Sequence, residues 1–316
     1  MDMTVADGSV LVDRSGTVVH RSHTGWADAA SGAACTAMTP FQIASISKHF
    51  TAAAALWVIE RGLASLSDPV ARWLRPAEAR WREVTMHQLL SHTGGVGHWE
   101  DYPDIDLYER PSVEMTRLIL DRPPDRTPRG QFSYSSPGYV LLAHIVEEIT
   151  AEPYRDFVQK RLFDPAGMVA SFVGEPAPGL AVAVPQDGRT AVRSFELDVV
   201  ARGAGDIWST ADDLVRWDSA LRDGAVLTEK YRTLAFSRQA DVPGSDNAYG
   251  YGWTLGAFGG RPARFHGGDN HAYRSLHVWW PEDDLRLVVL TNSQLTSHEN
   301  IHALAHLVGR SGTARG

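Results

Sequence analysis

Strand-like and helix-like segments are unevenly distributed along this 316-residue chain, and that distribution constrains the fold more than any single residue does. Residues 9–12 and 17–20 are β-rich runs around Asp13-Arg14-Ser15-Gly16, a turn composition, so the chain opens with a hairpin. Residues 45–61 read as a mostly buried helix closed by Gly62. From about residue 76 the pattern is helical with loops, over 85–91, 113–120, 137–150, 153–162 and 211–221, the last with Ser209 or Thr210 as N-cap. Near residue 245 the strand period returns: 251–258 and 261–266 flank Gly259-Gly260, and 275–280 and 285–291 flank a turn at 281–284. Ile301, Leu304, Ala305 and Val308 then mark one face of a closing helix. The economical solution is an α+β fold. An antiparallel sheet is built from N- and C-terminal segments (1–75 and 245–316) and flanked by helices, and an inserted, mainly helical lobe (76–244) forms the other wall of a cleft.

Ser45-Ile46-Ser47-Lys48 stands where an extended segment turns into an alanine-rich helix. Residues three apart on a helix are neighbours, so the motif puts a hydroxyl beside an amine. A serine needs a base to become nucleophilic, and a lysine serves only when burial or nearby positive charge lowers its pKa. The apolar residues 41–44 and 51–56 supply that burial. The helix that follows aims its N-terminal dipole at any oxyanion formed on the serine. The bland reading of the motif is an N-cap followed by a solvated lysine.

Two further motifs lie downstream. Tyr134 sits on a loop just before a helix whose first residue is Pro137; its phenol can shuttle a proton if positive charge lowers its pKa, or it simply packs, with Ser136 as N-cap. His266-Gly267-Gly268 closes a predicted strand, and paired glycines let another backbone or a ligand approach closely.

Composition narrows the function classes. Apolar residues make up 43% and charged residues 22%, with a net charge of −8 and no basic run, which argues against nucleic-acid binding. No apolar stretch nears the roughly 18 residues of a spanning helix, and no basic-then-apolar leader opens the chain, so the expectation is a cytoplasmic protein off the membrane. Cys35 is the only cysteine, which excludes an intrachain disulfide and a thiolate zinc cluster; no cofactor and no metal are expected.

The order of these motifs resembles the class C β-lactamase-like serine hydrolases, which include DD-peptidases, D-amino-acid amidases, esterases and some acyltransferases. The S-x-x-K motif is a known mark of β-lactamases and penicillin-binding proteins. The resemblance runs from about residue 8 to 307 and includes Leu89-Leu90-Ser91-His92-Thr93-Gly94-Gly95 and Ala204-Gly205-Asp206-Ile207-Trp208-Ser209-Thr210. It implies that Ser45 attacks an ester or amide carbonyl, that Lys48 and Tyr134 share the proton work, and that the backbone N–H groups of Ser45 and Asp269 form the oxyanion hole. Lactam-active members carry asparagine where this chain has Ser136, and lysine where it has His266. Both departures point away from β-lactams, although Ser136, His266, Gly267, Gly268 and Asp269 remain the expected substrate-binding set. The Asp269 carboxylate either reads a cationic group on the substrate or turns to solvent.

The leading expectation is therefore a serine acyl hydrolase acting on a small-molecule ester or amide through an acyl-enzyme. The alternatives are an acyltransferase with an amine or alcohol acceptor, and a penicillin-recognising protein that acylates without turnover. The family's N-terminal helix is missing, which would uncover a sheet face. Either a rearranged segment 307–316 or a homodimer contact should cover it.

Overall fold

The computed structural model describes residues 3–75, 78–111 and 114–311. β1 (Gly8–Arg14) and β2 (Thr17–Thr24) turn on Ser15 and Gly16, both in the left-handed region, as a two-residue hairpin requires. β1 then pairs on its other side with Leu285–Thr291, in the register Val10 to Val289. The full sheet has eight strands, all antiparallel, in the order Ala240–Asp241, Ala248–Tyr249, Thr254–Phe258, Arg261–Asn270, Tyr273–Trp280, Leu285–Thr291, β1, β2. Both chain ends thus contribute strands, and the fold is the α+β arrangement expected from the sequence. The strand at the third motif runs further than expected. His266, Gly267 and Gly268 lie inside the ladder, opposite His277, Leu276 and Ser275.

α1 (Ser47–Glu60) is buried along nearly its whole length, as a helix carrying Ala52-Ala53-Ala54-Ala55 can be when elements pack around it. It ends where expected: Gly62 at φ 72° and Leu63 return hydrogen bonds to Ile59 and Val58. α2 (Met86–Leu90) starts in a Thr85–Gln88 capping box. α3 (Met115–Leu120) follows; Val113, expected within it, lies outside the described residues. α4 (Ser136–Thr150) packs on α1 and α2, and α5 (Tyr154–Val158) continues into a wider π turn at Gln159–Phe163. The helix Ala211–Asp223 uses Thr210 as its N-cap. A small sheet, Phe41–Gln42 with Ile207–Ser209 with Phe172–Val173, brings the segment before Ser45 beside the segment after Gly205.

The sheet face expected to be uncovered is packed by the chain itself. Ile301, Ala305 and Val308 of the closing helix His298–Ser311 lie against Val10, Val12, Val278, Trp280 and Val289. Val5 and Met3 join this cluster, held there because the Met3 carbonyl meets His20 Nε2 and accepts from Ser22 Oγ, both at 2.9 Å. This short extended segment and the closing helix thus pack on the same side of the sheet. The tail beyond Ser311 lies outside the described residues. Among the described residues no helix is long and apolar enough to cross a membrane.

Candidate active site

Ser45 sits in a single 3-10 turn (Ala44–Ile46) at the mouth of α1. The preceding Ala44 is held at φ 49°, a conformation unfavourable for a residue with a Cβ. The strand behind holds the turn in place: Ser275 Oγ donates to the Ile43 carbonyl at 2.8 Å. A Cβ at Gly268 would stand 2.5 Å from that carbonyl and 2.9 Å from Ala44 Cβ. Glycine is therefore what lets the third motif come against the serine turn. Gly252 does the same for α1, since a Cβ there would stand 2.6 Å from the Lys48 carbonyl.

Lys48 is fully buried, and its Nζ lies 3.1 Å from Ser45 Oγ, 3.1 Å from Ser136 Oγ and 2.8 Å from the Ala204 carbonyl. Burial lowers its pKa from 10.5 to about 7, with Asp206 pulling the other way. Among the described residues no carboxylate hydrogen-bonds it. A neutral amine has two N–H donors and one lone pair. Ala204 can only accept, so the two serine hydroxyls share one N–H and the lone pair. A Ser45 hydroxyl donating to that lone pair is the geometry of a nucleophile with its base. Asp206 is also fully buried, and neither of its oxygens completes a hydrogen bond. Burial pushes it up to about 7, against the Gly203 backbone N–H and the Arg202 and Lys48 charges.

Tyr134 is half-buried, with its hydroxyl end turned toward Ser45 and Ser136 and its ring 5.0 Å from Lys48 Nζ. Burial pushes the phenol up, against hydrogen bonding with Ser45 and Ser136, so it stays protonated. The lowering by positive charge on which the sequence reading made proton shuttling conditional does not prevail, because desolvation is the larger effect. The N-cap of α4 also differs. Ser135 Oγ accepts from Gly138 N–H at 2.9 Å, which leaves the Ser136 hydroxyl free for Lys48. Two histidines hold this loop: His92 Nδ1 accepts from Ser135 N–H at 3.1 Å, and His98 Nδ1 accepts from Ser136 N–H at 3.2 Å.

His266 lies behind this group, buried, with Nε2 3.2 Å from the Tyr249 hydroxyl and Nδ1 2.6 Å from the Gly267 carbonyl. Burial and the Lys48 charge lower its pKa to about 3, so it is a neutral imidazole. Asp269 stands at the rim, but its carboxylate is engaged: Oδ2 is 2.8 Å from His298 Nε2 and 3.5 Å from Arg274 Nε. The side chain is exposed, as the solvent-facing expectation had it, and its neighbours there are a histidine and an arginine of this chain. The next residue, Asn270, donates to Gln42 Oε1 at 3.0 Å and to the Gly205 carbonyl at 2.9 Å, tying the strand to the opposite lip.

Ser45, Ser136 and Asp269 line one cavity of about 190 Å³ with His98, Trp99, Leu107, Phe195, Val200, Ala201, Ala204, Gly205 and Asn270. Lys48 and Tyr134 stand at the end formed by Ser45 and Ser136, while His266 and Gly268 support it from behind. Sequence reasoning missed the apolar wall and His98, which sit on loops without periodicity; the family-like stretch ending at Gly95, just ahead of His98, was the available signal. Among the described residues no group of histidine, cysteine and acidic side chains could hold a metal ion. Cys35 is buried away from the site, its thiol pushed up to about 12 by burial, which keeps it unreactive.

Comparison with known proteins agrees with this geometry. The sequence pattern of the Beta-lactamase family matches residues 2–309. The chain is 32% identical over 259 residues to the putative penicillin-binding protein PbpX of Bacillus subtilis, covering 78% of this chain and 62% of PbpX. It is 30% identical to esterase EstB of Burkholderia gladioli, covering 77% and 72% respectively. It spans only about three fifths of the penicillin-binding relatives from Bacillus subtilis. In structure it is similar to an octameric penicillin-binding protein homologue from Pyrococcus abyssi, with a TM-score of 0.84, 25% identity and coverage of 96% and 74%. It is also similar to a D-amino acid amidase from Ochrobactrum anthropi SV3, with a TM-score of 0.80, 25% identity and coverage of 98% and 94%. The chain belongs to the β-lactamase family of penicillin-binding proteins and serine hydrolases.

Proposed function

We propose that this protein is a serine acyl hydrolase that cleaves a small neutral ester or amide through an acyl-enzyme on Ser45. One observation carries the reading. Lys48 is fully buried, has no carboxylate bonded to it, has its pKa lowered to about 7 and lies 3.1 Å from Ser45 Oγ. In this mechanism neutral Lys48 takes the Ser45 proton as Oγ attacks the carbonyl. The resulting ammonium remains bonded to Ser136 and Ala204. Charge on the tetrahedral oxygen falls to the backbone N–H groups of Ser45 and Asp269, a kind of contact whose loss typically costs ~100- to 1,000-fold. Protonated Tyr134, reaching Ser45 and Ser136, gives its proton to the leaving group and is recharged from Lys48 through the Ser136 hydroxyl. Water entering the cavity then reverses the sequence and frees the acid.

The cavity supports neutral substrates. Trp99, Leu107, Phe195 and Val200 supply an apolar wall for the acyl group. Among the described residues no arginine or lysine side chain lines it to hold a carboxylate: His266 is neutral, and Arg274 is bonded to the carbonyls of Gln294 and Thr296 and paired with Asp269. The penicillin-binding relatives favour a second reading, acylation without turnover. A panel of short aryl esters, D-amino-acid amides and a chromogenic cephalosporin separates the two. Continued release from an ester or amide, faster than from the cephalosporin, is expected; a single burst equal to the enzyme concentration on every substrate contradicts the hydrolase reading. Adding an amine acceptor to the same assay tests transfer, which would appear as an amide product.

A further inference from the structure

His92 and His98 serve the same loop in the same way, yet only one has its second nitrogen sealed. Each accepts a backbone N–H through Nδ1, from Ser135 and Ser136 respectively. A neutral imidazole that accepts at Nδ1 carries its proton on Nε2. Both rings are held neutral chiefly by burial, with the Lys48 charge adding to it. His92 Nε2 is buried without a partner against Phe132, Tyr134, Tyr139 and Tyr249. His98 Nε2 is not among the sealed atoms and meets no acceptor among the described residues, and the ring lines the cavity that holds Ser45. Ser136 cannot supply a donor to that cavity while its hydroxyl serves Lys48 and Tyr134.

We propose that His98 donates an Nε2–H hydrogen bond to the substrate, and that the preferred substrates carry a neutral acceptor, an ether or carbonyl oxygen, in the acyl part close to the scissile bond. The inference rests on the reading of Ser45 as the acylated residue. It adds a specificity determinant: acyl groups with such an acceptor gain one hydrogen bond that plain alkyl acyl groups lack. The loss of one such bond, with its donor left unpaired in a mostly apolar cavity, corresponds to about tenfold in rate.

The test compares the p-nitrophenyl esters of butyric acid and of methoxyacetic acid, which have similar size and differ in the acceptor. Reactivity differences between the esters are removed by dividing by their rates with hydroxide. The corrected kcat/KM ratio in the unaltered protein should favour methoxyacetate about tenfold. His98→Phe should bring that ratio close to one, whereas His98→Gln, which can accept from Ser136 N–H and still donate, should keep most of it. A ratio unchanged in His98→Phe, or lost equally in His98→Gln, overturns the proposal, since a purely structural role slows both esters alike. The ¹⁵N shifts of His98 in the unaltered protein give a readout independent of the variants' folding. Protonated Nε2 is expected, and protonated Nδ1 overturns the donor. Fluorophosphonate labelling of Ser45 is followed in parallel. Its absence defeats the Ser45 reading alone, while the tautomer still decides the donor.

Discussion

Two buried basic residues in this protein are treated in opposite ways. Arg286, fully buried in the sheet, is surrounded by acid: it donates to Asp13 and Asp284 at 2.7 Å each, and Asp218, 3.5 Å away, also meets buried His277 at 2.8 Å. Lys48, equally buried, is surrounded by two hydroxyls and a carbonyl. The acid that senses it, Asp206, is itself pushed up to about 7. Paired charge holds strands and helix together; charge left short of a partner loses its proton near neutrality and becomes a base. The two sites therefore respond to mutation differently, one in stability and the other in rate.

The largest effect tests the catalytic half of this comparison. Ser45→Ala should lower turnover by at least ~10⁴-fold while leaving the urea midpoint nearly unchanged; retained activity would place the chemistry elsewhere. Arg286→Ala should do the reverse. It leaves Asp13 and Asp218 buried without their cation, a loss of about 3–5 kcal/mol by equilibrium unfolding, and a midpoint equal to the parent's would mean that the pairing does not hold the sheet.

Next in size is Tyr134→Phe, expected to cost ~100-fold or more in kcat with little change in stability. Near-normal turnover would reduce the tyrosine to packing. Asp206→Asn is the smallest and sharpest case. In the proposed mechanism Lys48 acts when neutral, so kcat/KM should rise with pH through about 7. The Asp206 charge raises the Lys48 pKa, so removing it should move this acid limb to lower pH. A limb that moves upward would mean that another group controls the rate.

How much of this was legible in the sequence depended on whether the signal was local. Ser45, Lys48 and Tyr134 stood out because a motif fixes their neighbours, and the structure puts the three side chains together. The β1–β2 hairpin and the closing helix followed from period and turn composition alone. The choice between Ser135 and Ser136 as N-cap was not local: adjacent serines are equivalent until Lys48, 88 residues away in sequence, claims one hydroxyl. Gly267 and Gly268 read as the end of a strand because glycine weakens strands. Both lie inside the ladder, and at Gly268 Ile43 and Ala44 pack where a side chain would be. Residues 3–7 form no element of their own, so nothing in their pattern announced that Met3 and Val5 would pack onto the sheet.

The central claim, that Ser45 is acylated with Lys48 as its neutral base, is tested most directly by the rate of fluorophosphonate labelling measured from pH 5 to 9 with the modified peptide identified by mass. One label per chain is expected, on Ser45, at a rate that rises through about pH 7 and vanishes in Ser45→Ala. Labelling that persists in Ser45→Ala, or a rate flat across that range, would contradict it.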